Sequence, residues 1–213
     1  MSKEIRQQMV RDVKSTLILN AAHKVFAQKG FHETRLEDIA AEAGFSKASL
    51  YNYFTDKEEI FLSLAVKDFE ELLEQVHKGV LESNTLESSL EFVFEMVFSY
   101  FSERFSFFWA INNYQIICNL GAQRLQGHHD ELLDRFSGYY NDLLDTFSKV
   151  IKNAQDQKQI ESLTDPMLLS RFVAALVRGI VMEWKINGKT DNIKTIVNEL
   201  TLFTLQGIGF KKS

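Results

Sequence analysis

The sequence predicts an all-α chain: a small N-terminal group of three helices followed by a larger helical bundle. Three observations carry this. Apolar residues recur at helical spacing along most of the 213 residues. There is a single proline, so almost nothing interrupts a helix. Threonine followed three residues later by glutamate marks two helix starts, and glycine marks several ends. With 45% hydrophobic and 25% charged residues, the composition is that of a globular protein.

The elements follow in order. Residues 12–29 place Leu17, Ile18, Ala21, Ala22, Val25 and Phe26 on one face, which predicts a first helix stopped at Gly30. Thr34 and Glu37 form an S/T-x-x-E capping box. Leu36, Ile39, Ala40 and Ala43 then make a short second helix, ended by Gly44. Ser46 can cap a third helix, "KASLYNYF", with Leu50 and Phe54 facing inward. Thr55 and Glu58 form another capping box, which opens a long fourth helix from about Asp56 to Gly79.

Beyond Gly79 the character changes. Seven of the 18 Phe fall between Phe92 and Trp109. Phe94, Phe98, Phe101, Phe105 and Phe108 share one helix face, and few charges accompany them (Glu95, Glu103 and Arg104). Such a stripe is core packing or the wall of an apolar cavity. Asn112, Asn113, Tyr114, Gln115 and Cys118 follow it as the nearest polar groups. Near the end, Thr164 or Asp165 caps a helix with Pro166 at its first position, running to Gly188. Asp191 or Asn192 opens the last helix, with Ile193, Ile196, Val197, Leu200 and Phe203 as its apolar stripe. Together these two helices have more apolar face than one bundle side needs.

Several function classes drop out. No apolar run is long enough to span a bilayer, and the N-terminus has no signal-peptide core. A single cysteine, Cys118, in an apolar context reads as a buried, inert thiol of a cytoplasmic protein. His128-His129-Asp130-Glu131 lacks a spaced third ligand and reads as a polar helix start, so neither a metal nor a cofactor is expected. There is no HExxH, no phosphate-cradling glycine loop and no nucleophile with a spaced base, so no enzyme is expected. Net charge is −5, but it is uneven: residues 1–57 carry 9 Lys and Arg against 7 Asp and Glu, and the rest carries 15 against 22. A mildly basic head on an acidic body fits a small DNA-reading module.

The turn "AGFS" between two short helices is the pattern of a helix-turn-helix. Small Ala40 and Ala43 let the helices cross closely, Gly44 supplies the turn, and Ser46 holds the N-terminus of the reading helix. Lys47, Ser49 and Asn52 are polar positions on that helix, and Tyr51 and Tyr53 can pack a ring while offering a hydroxyl to phosphate. The string "GFHETRLEDIAAEAGFSKASLYNYFTDKEEIF" resembles the N-terminal domain of TetR-family transcriptional regulators. Gly30-Phe31, Thr34, Ile39-Ala40, Ala43-Gly44-Phe45-Ser46, Leu50-Tyr51, Tyr53-Phe54 and Lys57 match in one register over about residues 12–60. Ala48 departs from the frequent glycine. Arg35 departs from a small hydroxyl residue; it reaches a phosphate or pairs with Glu37 or Asp38.

The resemblance implies that Thr34, Ser46, Tyr51, Tyr53 and Lys57 contact phosphates, and that Lys47, Ala48, Ser49 and Asn52 face base edges. Lys3, Arg6 and Arg11 are a minor-groove arm or a disordered tail. The resemblance further implies an N-terminal three-helix helix-turn-helix DNA-binding domain, residues 1–55, and a C-terminal helical effector-binding and dimerisation bundle, residues 56–213. Phe98, Phe101, Phe105, Phe108, Trp109, Tyr114 and Trp184 are the expected effector contacts. The expectation is a cytoplasmic homodimeric repressor, released from double-stranded operator DNA by a largely apolar small molecule. A helical lipid or small-molecule carrier without DNA binding is the alternative; it leaves residues 30–57 unexplained.

Overall fold

The computed structural model describes residues 2–83, 85–104, 128–161, 164–188 and 192–207. Eight α-helices are described: α1 (Lys3–Glu33), α2 (Leu36–Ala43), α3 (Lys47–Leu50), α4 (Lys57–Glu82), α5 (Leu86–Glu103), α6 (His128–Asp156), α7 (Pro166–Asn187) and α8 (Ile193–Gly207). They group into two compact units. The first runs up to Asp68 and takes in the start of α6 through Phe136; the second holds Phe69 through α5, then the chain from Ser137. Helices α4 and α6 thus each contribute to both.

In the first unit α1 packs on α2, and α2 on α3. Helix α1 is longer than the apolar pattern predicts. Ser2 caps it, its Oγ accepting from the Ile5 N–H at 3.3 Å. Lys3, Arg6 and Arg11 therefore lie on regular helix, neither an extended arm nor a tail. Gly30 breaks the helix as expected, with φ 75°, a conformation costly for any residue with a Cβ. The buried face is Ile18, Leu19, Ala21, Ala22, Val25 and Phe26; Leu17 stays half exposed, because Leu19 holds the inward position instead. Phe26, Phe31 and Phe61 meet edge-on or tilted, with centroids 4.7–5.7 Å apart. The buried rings of Phe26 and Phe61 each contribute about 1.5–3 kcal/mol.

Two caps fall one residue away from their predicted places. Asp38, not Glu37, reaches back to the start of α2, accepting from the Arg35 N–H at 3.0 Å. The Thr34 hydroxyl instead donates to the Gly30 carbonyl at 2.6 Å. At α4, Asp56 accepts from the Glu59 N–H at 2.7 Å, while the Glu59 carboxylate takes both the N–H and the hydroxyl of Thr55. Asp56 therefore caps α4, with Glu59 reaching back to Thr55, rather than a box on Thr55 and Glu58.

In the second unit α5 packs against α8 and α7. Phe94 faces Phe147 at 6.2 Å, and Phe98 faces Trp184 at 5.3 Å. Gly79 does not stop α4, which continues to Glu82; it makes room for the Phe92 ring, which an added Cβ would overlap. Asp165 caps α7, with Pro166 at its first position, and Asn192 caps α8.

Candidate nucleic-acid interface and effector site

The turn between α2 and α3 is built by Gly44 in the left-handed region (φ 73°, ψ 26°), with the Phe45 N–H reaching the Ala40 carbonyl at 2.8 Å. Ser46 then caps α3, its Oγ accepting from the Ser49 N–H at 3.1 Å. Leu50 and Phe54 are buried and fix the segment from beneath. Only residues 47–50 are helical; residues 51–53 continue as a turn, so α3 is shorter than the predicted "KASLYNYF". This arrangement leaves Arg35, Ser46, Lys47, Ala48, Tyr51 and Asn52 exposed, with Ser49 and Tyr53 half-buried. Tyr53 packs edge-on against Phe45 at 6.1 Å.

Two of the predicted phosphate contacts are occupied otherwise. Thr34 is only 1% exposed, and its hydroxyl is spent on Gly30. The Lys57 ammonium donates to the carbonyls of Phe31 at 2.8 Å, Thr34 at 2.9 Å and His32 at 3.3 Å, and lies 4.5 Å from the Phe31 ring centroid. Its three donors therefore close the chain between α1 and α2. The reason is geometric: the break at Gly30 turns these carbonyls away from helical partners, and a cation satisfies them.

Charge around α3 is paired. Lys47 donates to Glu37 at 2.6 Å, and the ion pair holds the Glu37 carboxyl below its ordinary range and raises the Lys47 ammonium. Lys29 meets Asp38 at 2.7 Å and likewise lowers its carboxyl, and Lys24 meets Glu42 at 3.0 Å. The Glu37 contact was invisible to sequence periodicity, because ten positions and a turn separate its members.

In the second unit the expected effector residues Phe98, Phe101 and Trp184 are all buried. Phe101 and Tyr100 both pack on Phe69, at 6.3 and 6.2 Å. The described part of the aromatic stripe is therefore core. Phe105, Phe108, Trp109 and Tyr114 lie outside the described residues. The same helices hold polar atoms without hydrogen-bond partners among the described residues: the Tyr100 hydroxyl, the Trp184 indole N–H and the hydroxyls of Thr201 and Thr204. Burial, with the Glu71 charge second, pushes the Tyr100 phenol well above its usual range, so it stays a neutral donor. An open groove of about 590 Å³ lies between α7 and α8, lined by Leu176, Ile180, Trp184, Ile196 and Phe203 with Glu183 and Glu199. Val197 and Leu200 are each only 5% exposed within the protomer, so much of the predicted apolar stripe of α8 faces inward. The outward apolar surface is Leu168, Phe172, Leu176 and Ile186 on α7 and Leu202 and Phe203 on α8. Among the described residues no helix is long and apolar enough to cross a membrane.

Known proteins agree with this geometry. Residues 18–64 match the family model for bacterial regulatory proteins of the tetR family. The HTH-type transcriptional regulator RutR of Escherichia coli is 49% identical over 51 residues, 24% of each chain. The fatty acid metabolism regulator protein of Bacillus subtilis is 22% identical over 191 residues, covering 90% of this chain and 93% of that protein. The crystal structure of the transcriptional regulator FadR from Bacillus subtilis in complex with stearoyl-CoA superposes with a TM-score of 0.71 at 21% identity, over 91% of this chain and 98% of that one. With its glycine turn and capped α3, the segment of residues 18–64 is a TetR-family regulatory domain, and the helical chain as a whole shares the fold of the FadR structure.

Proposed function

We propose that this regulator is a cytoplasmic, homodimeric repressor that leaves its operator when a largely apolar small molecule binds its body. One observation carries the DNA half of this reading: Leu50 and Phe54 anchor residues 46–53 from below while Lys47, Ala48, Tyr51 and Asn52 face solvent. Residues 1–55 read DNA, and 56–213 bind the effector and dimerise. Lys47, Ala48, Ser49 and Asn52 address base edges: lysine suits guanine acceptors, asparagine suits adenine and a methyl suits thymine. Arg35, Ser46, Tyr51 and Tyr53 address phosphates. Thr34 and Lys57 serve the same interface by shaping the chain between α1 and α2, their side chains being engaged there.

The outward apolar residues of α7 and α8 suit a two-fold interface between copies of the chain. A dimer presents two reading helices, which need to sit about 34–36 Å apart on DNA. Helix α4 is shared by both units, so an effector that favours another setting of α4 shifts the population away from that spacing. A relative of the same fold carries stearoyl-CoA, which favours an acyl effector. Tyr100, Thr201, Thr204 and Trp184, which have no hydrogen-bond partner among the described residues, give such a ligand donors for an acceptor oxygen.

The test begins with a duplex enriched by the protein from a randomised pool. The complex is then titrated with acyl-CoA thioesters, free fatty acids, aromatic compounds and sugars, with Trp fluorescence as a second readout. Acyl or aromatic compounds should release the duplex. Release by sugars alone would sink the apolar effector, and failure to enrich any duplex would sink the DNA reading.

A further inference from the structure

Lys47 opens α3, yet its charge is already spent in the free protein. Its ammonium donates to Glu37 Oε1 at 2.6 Å and lies 6.0 Å from the Tyr51 ring centroid. Both side chains are about half exposed, at 46% and 56%, so DNA and solvent can compete for either. The other acids of α2 do different work. Asp38 and Glu42 pair with Lys29 and Lys24 of α1 and so tie α2 to the scaffold. Glu37 instead reaches forward to the reading helix. Lys47 is also the only Lys or Arg between Arg35 and Lys57, and the Lys57 ammonium is held by backbone carbonyls. Glu37 thus neutralises the one cation that the reading helix carries.

We propose that Glu37 is a specificity-determining residue, a latch that keeps Lys47 off DNA until a base edge offers a better acceptor. The inference rests on the reading of Lys47 as a base contact. An exposed ion pair holds by a factor of about five at most. A good base contact repays about fivefold to a hundredfold, so the operator opens the latch. A lone phosphate offers little more than Glu37 already does, so on other sequences Lys47 stays paired. Each protomer then neutralises about one phosphate fewer on the wrong sequence. The latch acts by weakening wrong complexes rather than by strengthening the right one.

The experiment compares a duplex enriched by the wild-type protein from a randomised pool with a mixed-sequence duplex, by fluorescence anisotropy at several salt concentrations. Glu37→Gln should tighten binding to the mixed-sequence duplex several-fold and steepen its log–log salt slope by about one per protomer. The enriched duplex should change less, so the affinity ratio falls. Glu37→Ala, which leaves no acceptor, should act in the same direction. On a Lys47→Ala background, Glu37→Gln should no longer move the slope. Three results would overturn the latch: no change on the mixed-sequence duplex, an equal gain with and without Lys47, or weaker binding to both duplexes. Lys47→Ala alone tests the underlying reading, because unchanged affinity for the enriched duplex removes Lys47 as a base contact whatever Glu37 does.

Discussion

In the unit built on α1–α3, polar side chains are engaged with one another and with the backbone: Lys47 with Glu37, Lys29 with Asp38, Lys57 with three carbonyls. In the unit built on α5, α7 and α8, the core is aromatic, and four polar atoms lie buried with no partner among the described residues. The contrast separates two tasks. A DNA reader presents a fixed surface, so its caps and ion pairs are complete before the partner arrives. On the proposed reading, the second unit offers those groups to a small molecule, because buried polar groups are otherwise satisfied.

The largest effect should come from the body's core. Phe98 is fully buried against Trp184, so Phe98→Ala should cost about 3–5 kcal/mol of unfolding free energy. Denaturant melts would read it. A loss below 1 kcal/mol would mean that the aromatic layer is loosely packed, and would blur the contrast between the units.

Next comes the outward face of α7. Phe172 is 54% exposed in the protomer, so Phe172→Arg should leave the helical content intact, yield monomers in sedimentation and collapse affinity for the enriched duplex. Leu200→Arg, by contrast, buries a charge among residues of the protomer itself and should lower folding stability outright. Unchanged dimer mass for Phe172→Arg would remove this face as the interface.

Within the reading unit, Lys57→Ala strips three carbonyls of their shared donor and should cost about 1–3 kcal/mol of stability. A flattened salt slope at unchanged stability would restore Lys57 to the phosphates. Lys47→Ala should leave stability nearly intact and lower affinity for the enriched duplex by about 1–3 kcal/mol. Losing as much on mixed-sequence DNA would make it a phosphate contact instead.

The smallest effect concerns pH. Lys47 lowers the Glu37 carboxyl in the folded state from its ordinary 4.5. The pair's contribution is therefore present above that value and disappears as the pH falls through the lowered folded value. The melting-temperature gap between wild type and Glu37→Gln should close as solutions are acidified through and below the ordinary carboxylate range. A gap that persists in acid would show that the carboxylate charge is not what stabilises the contact.

The sequence by itself determined the helices and most of their ends, and the register of the helix-turn-helix. Those signals are local: a serine three residues before an amide, a glycine where φ must be positive, apolar side chains every three or four positions. Leu50 and Phe54 were legible as inward for that reason. What only the tertiary structure decided were contacts between elements. The capping signature is degenerate where two acids adjoin, as at Glu37-Asp38 and Glu58-Glu59, so the choice of Asp38 and Glu59 needed the actual backbone. Lys57 reads as a phosphate ligand in sequence, and only the tertiary structure shows three carbonyls around its ammonium. Leu200 and Phe203 share one apolar stripe in sequence, but α5 covers one and leaves the other outside, because a helix with a wide apolar face has two sides to bury.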